Sequence, residues 1–186
     1  SMIKQLAIDL CCGRGGWTAG LLIEGWRVVG FDLVKPTMFP IGAQFVQQDV
    51  QTLSGIPFRG RVDLVVASPP CTEFSHHDLP WLKTKNPPPP DTSLVEACFR
   101  IAREAKVPLI LENVRGAQKF LGRAPVSYGS RYLWGDGVPA LSGPWPPPHK
   151  GWDHRGRNVP GPRDPRKRAL IPFELARHCA WTHLDK

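Results

Sequence analysis

Five short apolar runs recur at similar intervals through the first 111 residues: Leu6–Leu10, Arg27–Phe31, Gln44–Gln47, Val62–Ala67 and Pro108–Leu111. The last two are almost continuously apolar, the pattern of strands covered on both faces. Helical spacing lies between some of them. Trp17, Leu21, Leu22 and Gly25 follow one stripe, and Leu94, Cys98, Ile101, Ala102 and Ala105 follow another, with Asp91, Thr92 or Ser93 as its cap. Strands alternating with helices predict an α/β fold with a doubly wound, mostly parallel sheet. No internal repeat interrupts it, and 186 residues suffice for one domain with a real core.

Each run is followed by a polar or reactive residue. Asp9 and the Gly13–Gly16 stretch come at the first, Asp32 at the second, Asp49 at the third, Cys71 at the fourth and Glu112 at the fifth. In an open parallel sheet, ligands bind at the carboxyl ends of the strands, so these five positions converge on one cleft. A lone acid after a strand is an ordinary turn former; five in step predict a site.

The stretch AIDLCCGRGGWTAG reads as strand, glycine-rich turn and helix start. Its Gly13-x-Gly15 has Thr18 where a dinucleotide fingerprint has a third glycine, so the motif alone is weak. Asp32, 19 residues beyond Gly13, stands where an acid binds ribose hydroxyls. A nucleoside-containing cofactor follows, with NAD and S-adenosylmethionine both open at this point.

VVASPPCTEFSHH raises the question of why two prolines precede a thiol. Pro69 and Pro70 fix φ through the turn and restrict Ser68, which aims Cys71 into the cleft. A thiolate is a strong nucleophile, and a helix N-terminus or a nearby cation promotes its formation. An inert buried cysteine describes Cys98 on its helical stripe better, and Cys11, Cys12 and Cys179 read as structural. Five cysteines without a CxxC pair argue for free thiols in a reducing compartment. With no membrane-length apolar run or signal-peptide pattern, the expected location is cytoplasmic.

The net charge of +8 favours an anionic partner. Residues 142–169 hold seven lysines and arginines against two aspartates, along with seven prolines and four glycines. The segment is either a solvated linker or a phosphate-binding stretch. The 72–90 loop starts at Cys71 and carries Lys83, Lys85 and four consecutive prolines. Long loops in compact domains are usually functional or disordered. His76 and His77 lack the spacing of a standard zinc site with Cys71, and no metal is expected.

DLCCGRGG, SPPCTEFS and LENVRG, in that order and spacing, resemble the motifs of the DNA cytosine-5 methyltransferases. The resemblance covers about the first 120 residues, and IPFELARHCAWT (residues 171–182) resembles that family's C-terminal helix more weakly. It implies a Rossmann-like methyltransferase fold and S-adenosyl-L-methionine as cofactor. It further implies transfer of a methyl group to C5 of a flipped-out cytosine through a Cys71–C6 adduct. Glu112 would bond N3 and the exocyclic amine, and Asn113 would brace the turn bearing Cys71. Arg131, in YGSRYLWG, is the best substitute for an absent Gln-Arg-Arg segment. The cofactor set carried over is Asp9, Cys11, Gly13, Gly15, Gly16, Trp17, Asp32, Leu33, Asp49, Val50, Ser68 and Pro69. Cys11 stands where the family has phenylalanine against the adenine, so Leu33 must help there.

The resemblance implies a minimal form without a full target-recognition domain, the basic segment standing in its place. The implied division is a catalytic domain over 1–141, the basic segment over 142–169, and a helix returning to the catalytic domain over 170–186. Lys83, Lys85, Arg155, Arg157, Arg166, Lys167 and Arg168 are the expected DNA contacts. The partner is then single- or double-stranded DNA, read as a short site or with a specificity protein, by a monomer away from membranes. Rival readings are cytosine-5 methylation of RNA, an exocyclic amino-methyltransferase sharing Ser-Pro-Pro, and a non-enzymatic DNA-binding protein on the same fold.

Overall fold

A computed structural model describes residues 4–75, 88–139 and 170–185. In chain order the elements are β1 (Leu6–Leu10), α1 (Gly16–Ile23), β2 (Arg27–Asp32), β3 (Gln44–Gln47), β4 (Leu64–Ala67) and α2 (Thr72–Ser75). They continue with α3 (Ser93–Ala105), β5 (Leu109–Asn113), α4 (Gln118–Leu121), β6 (Val126–Tyr128), β7 (Arg131–Trp134) and α5 (Phe173–Thr182). The strands form one sheet in the order β3-β2-β1-β4-β5-β7-β6. β1 to β5 are parallel, and β7 runs against both β5 and β6. This is the doubly wound α/β sheet that the apolar runs predict.

Strand alternation sorts the core into two layers. Ile8, Leu10, Val65, Ala67, Leu109 and Leu111 face the cluster containing Val95, Cys98, Ile101 and Ala102 of α3. Ala7, Leu64, Val66, Ile110 and Leu133 face Trp17 and Leu21 of α1 and Leu175, Ala176, Cys179 and Ala180 of α5. The α3 stripe works as its i, i+3, i+4 spacing requires. Asp91 Oδ1 accepts from Ser93 N at 2.9 Å at the start of that helix, while Thr92 occupies the cap position without a side-chain bond to the backbone.

Four details depart from the sequence reading. β4 begins at Leu64, because Val62 N is still bonded to the carbonyl of Phe58 in the preceding turn. β5 runs on to Asn113, so Glu112 and Asn113 lie within the strand rather than after it; their partners are Leu133 and Tyr132 of β7. Asp9 likewise lies inside β1. The β6–β7 hairpin was not foreseen, since its strands of three and four residues straddle Gly129 and Ser130 with little alternation to mark them. Among the described residues no helix is long and apolar enough to cross a membrane.

α5 lies against α1 at unusually close range. A Cβ on Gly20 would overlap the Ala176 side chain and come within 2.8 Å of the Ala176 carbonyl carbon and Arg177 N. One on Gly16 would reach 2.7 Å from Ile171 N. Both obstacles include backbone, which cannot rotate away. Gly20→Val should therefore destabilise the protein by about 1–3 kcal/mol, the range for overpacking. A urea melt with a lower midpoint and an unchanged slope would show it; an unchanged midpoint would mean that the helices are not held this closely.

Candidate active site

The sheet reverses its winding between β1 and β4, and loops leaving their carboxyl ends diverge there to open a crevice. On the β1 side the chain turns through three residues with positive φ: Cys11 at 53°, Gly13 at 50° and Gly15 at 80°. Left-handed backbone is easy for glycine and strained for cysteine. Asp32, the last residue of β2, fixes this turn: its Oδ2 accepts from Gly13 N at 2.8 Å and its Oδ1 from Val34 N at 3.4 Å. A Cβ on Gly13 would meet nothing within 4 Å, so the space beside it is open. Leu33 is exposed just beyond. Asp49 caps the single 3-10 turn Val50–Thr52, accepting from Gln51 N at 2.9 Å, and Val50 is buried.

Asp9 is fully buried, and Thr18 supplies its partners, donating to Oδ2 from its hydroxyl at 2.7 Å and from its N–H at 3.2 Å. Burial pushes the Asp9 carboxyl up to about 7 against the pull of those bonds. The sequence reading noted Thr18 only as a missing third glycine; its hydroxyl is what Asp9 requires. The Trp17 side chain is 1% exposed in the apolar layer beneath α5. Burial holds the Cys12 and Cys179 thiols well above their ordinary range, and a hydrogen bond with Cys98 does the same for Cys11.

Across the crevice, Ser68 N donates to Leu10 O at 3.2 Å and continues the β1–β4 pairing past the strand end. Pro69 is buried, Pro70 exposed and Cys71 half-buried. The Cys71 carbonyl accepts from Phe74 N, Ser75 N and Ser75 Oγ at 3.1, 2.9 and 3.0 Å, which fixes the residue at the start of α2. Asn113, 1% exposed, donates from Nδ2 to Pro69 O at 3.1 Å. Its Oδ1 accepts from Val114 N at 2.8 Å. The turn before Cys71 is thus tied to the end of β5.

Glu112, one residue earlier on β5, is buried and accepts from Arg131 Nη1 at 3.1 Å through Oε1. Arg131 Nη2 donates onward to Leu170 O at 3.0 Å. Burial raises the Glu112 carboxyl above its ordinary range, and the facing guanidinium opposes that rise. Arg131 therefore joins the candidate catalytic strand to the segment entering α5, a contact that separation of 39 residues hid from sequence reading. The remaining expected contacts, Lys83, Lys85, Arg155, Arg157, Arg166, Lys167 and Arg168, lie outside the described residues, as do His76 and His77. Among the described residues no three His, Cys, Asp or Glu side chains are grouped to hold a metal ion. A surface depression of about 400 Å³ lined by Phe99, Arg103, Lys106 and Asp136 lies at the start of β5, the opposite end from this chemistry.

Two polar atoms in the crevice, Asp9 Oδ1 and Ser68 Oγ, are buried with no hydrogen-bond partner among the described residues. Such groups call for a ligand or water. With the open face at Gly13, the carboxylate of Asp32 and the apolar Leu33 beyond it, they suit a cofactor that has an amino-acid end, a ribose and an adenine. The fold and this crevice define an S-adenosyl-L-methionine-dependent methyltransferase. A sequence model of the FtsJ-like methyltransferase family matches residues 3–108, more than half the chain, and the chain belongs to that family.

No curated protein matches the sequence. Similar solved structures include an E. coli prophage-encoded protein assigned as a DNA modification methyltransferase, at 22% identity and a TM-score of 0.48. They also include the Dnmt2 methyltransferase of S. pombe, at 17% identity and a TM-score of 0.43. A third is the magnesium protoporphyrin IX methyltransferase of Synechocystis PCC 6803 with S-adenosylmethionine bound, at 18% and 0.37. The matches cover 63%, 62% and 61% of this chain but only 34%, 38% and 51% of those chains.

The carboxyl of Asp9 makes stability depend on pH with a definite sign. Its folded value near 7 lies above the unfolded 3.8, so the folded state holds a proton that the unfolded chain has lost between these values. Stability from this group is present below about pH 4, falls as pH rises to 7 and levels off above that. The full difference is roughly 4 kcal/mol at 1.36 kcal/mol per unit. Asp9→Asn should remove it, so the variant's melting temperature should rise relative to wild type from pH 4 to pH 7; a constant difference would contradict the assignment. Asp32→Ala should weaken S-adenosylmethionine binding by about 1–3 kcal/mol, the cost of leaving buried polar groups unmatched, as calorimetry would show.

Proposed function

We propose that this methyltransferase acts on C5 of cytosine in DNA. The observation that supports this most directly is the Asn113–Pro69 hydrogen bond, which ties the turn of Cys71 to the strand carrying Glu112. A nucleophile and a carboxyl group thereby share one rigid frame beside the cofactor crevice.

In this reading the Cys71 thiol loses its proton and Sγ bonds to C6 of the base, which leaves C5 electron-rich. Glu112 holds N3 and the exocyclic amine, so the charge developing on the ring is met by a proton at that edge. Arg131 keeps the Glu112 carboxyl oriented from behind. The bound cofactor supplies the methyl group to C5 from its sulfonium. Transfer of the C5 proton to solvent then expels Sγ from C6 as the thiolate that began the cycle. C6 is inaccessible in a stacked duplex, so the cytosine must leave the helix. The basic stretch 142–169 and the lysines of the 72–90 loop are the sequence's candidates for holding phosphates around it. A second reading, cytosine-5 methylation of RNA by the same residues, is favoured by membership of a family typically devoted to RNA.

Cys71→Ser should abolish methyl transfer while leaving S-adenosylmethionine affinity near normal, because the thiol acts on the base. A 5-fluorocytosine substrate should trap a covalent adduct, since C5 then has no proton to lose. Both are read by radiolabelled transfer and denaturing gels on DNA and RNA. Substantial turnover by Cys71→Ser would instead favour transfer to an exocyclic nitrogen, and adducts on RNA alone would select the second reading.

A further inference from the structure

The chain between Glu112 and Asp136 contains no acidic residue. Its first part, after Asn113, carries Arg115, Lys119 and Arg123, all exposed. This segment runs through a 3-10 turn (Arg115–Ala117) into α4, and α2 packs directly on that turn. The contact is aromatic as well: the Phe74 ring, 1% exposed, lies 6.1 Å from that of Phe120, which remains 38% exposed.

The segment is also braced. Ala117 is fully buried in the core layer shared with α3. Ala124 N donates to Gln118 Oε1 at 3.1 Å, and Trp134 Nε1 of β7 donates to Gly122 O at 3.0 Å. The cations therefore project from a fixed base that abuts the helix beginning at Cys71. Glu73 is the one acid that α2 adds nearby.

We infer that Arg115, Lys119 and Arg123, with the exposed face of Phe120, seat the DNA strand that carries the target cytosine. The inference rests on the DNA reading above and adds to it a backbone-binding surface. Three positive side chains on one braced segment match the charge of successive phosphates, and an exposed ring among them offers a stacking face. A strand held here lies beside α2, the helix that begins just after Cys71. Such contacts position the strand without reading its sequence.

The test compares wild type with the triple variant Arg115→Gln, Lys119→Gln, Arg123→Gln, using a fluorescent 30-mer duplex and its single strand over a salt series. Melting temperature and S-adenosylmethionine affinity are measured on the same variant as controls on folding. The variant should bind DNA at least tenfold more weakly at about 0.1 M salt, with the slope of log affinity against log salt reduced by about 2–3, at about 0.9 per lost phosphate contact. Normal DNA methylation by the variant, with an unchanged slope, would overturn the seat while leaving the cytosine-5 reading standing. A reduced slope in a protein that transfers no methyl to cytosine would support the seat and defeat that reading. Salt-dependent binding of RNA with none of DNA would overturn the seat as stated.

Discussion

The guanidinium of Arg131 reaches three parts of the fold at once. It rises from β7, pairs with Glu112 on β5 and donates to the carbonyl of Leu170 ahead of α5. Both charges of the pair are buried, so neither is stable there without the other; removing one member of such a pair typically costs about 3–5 kcal/mol. The antiparallel turn of β7 is what permits this geometry. Lying next to β5, it delivers a side chain from the sheet's far half to the carboxyl end of β5, where a parallel continuation would have needed another crossover. The orientation of Glu112, the closing of the hairpin and the return of the C-terminal helix are therefore one arrangement.

Glycine makes the second half of that arrangement possible. α5 contributes Leu175, Ala176, Cys179 and Ala180 to the core, and it can do so only because Gly16 and Gly20 leave α1 without side chains along the line of approach. α1 in turn starts from the turn that Asp32 holds and contains the Thr18 that satisfies Asp9. The helix that shapes the cofactor crevice is thus clamped by the same C-terminal segment that Arg131 anchors. Helix packing and site geometry are not separable here.

The sequence made the parallel half of the protein readable because its signals are local. The short apolar runs marked β1 to β5 to within two residues, and the glycines at 13 and 15 announced a turn that needs positive φ. Pro69, Pro70 and Cys71 told of a stiff turn before the thiol. What stayed hidden is non-local. The β6–β7 hairpin has too few residues for alternation to show, and the end of β5 could not be set without knowing that β7 pairs with it. Trp17 sits at the start of a helix that opens on the crevice, yet the indole turns to the core because α5 offers an apolar layer that no local pattern reveals.

Asp9 and Glu112 show how partners, rather than burial, set what a carboxyl group does. Both are buried at strand ends, and burial raises both above the ordinary carboxylate range. Asp9 meets only the neutral hydroxyl and N–H of Thr18 and keeps one oxygen unmatched by the described residues. A cationic ligand group arriving there would favour the ionised form, so cofactor binding and loss of a proton are linked at this position. Glu112 meets a guanidinium that orients its carboxyl group and opposes, without cancelling, the rise that burial causes. One acid thus keeps an oxygen open to whatever binds beside it, whereas the other is held in one orientation by its partner.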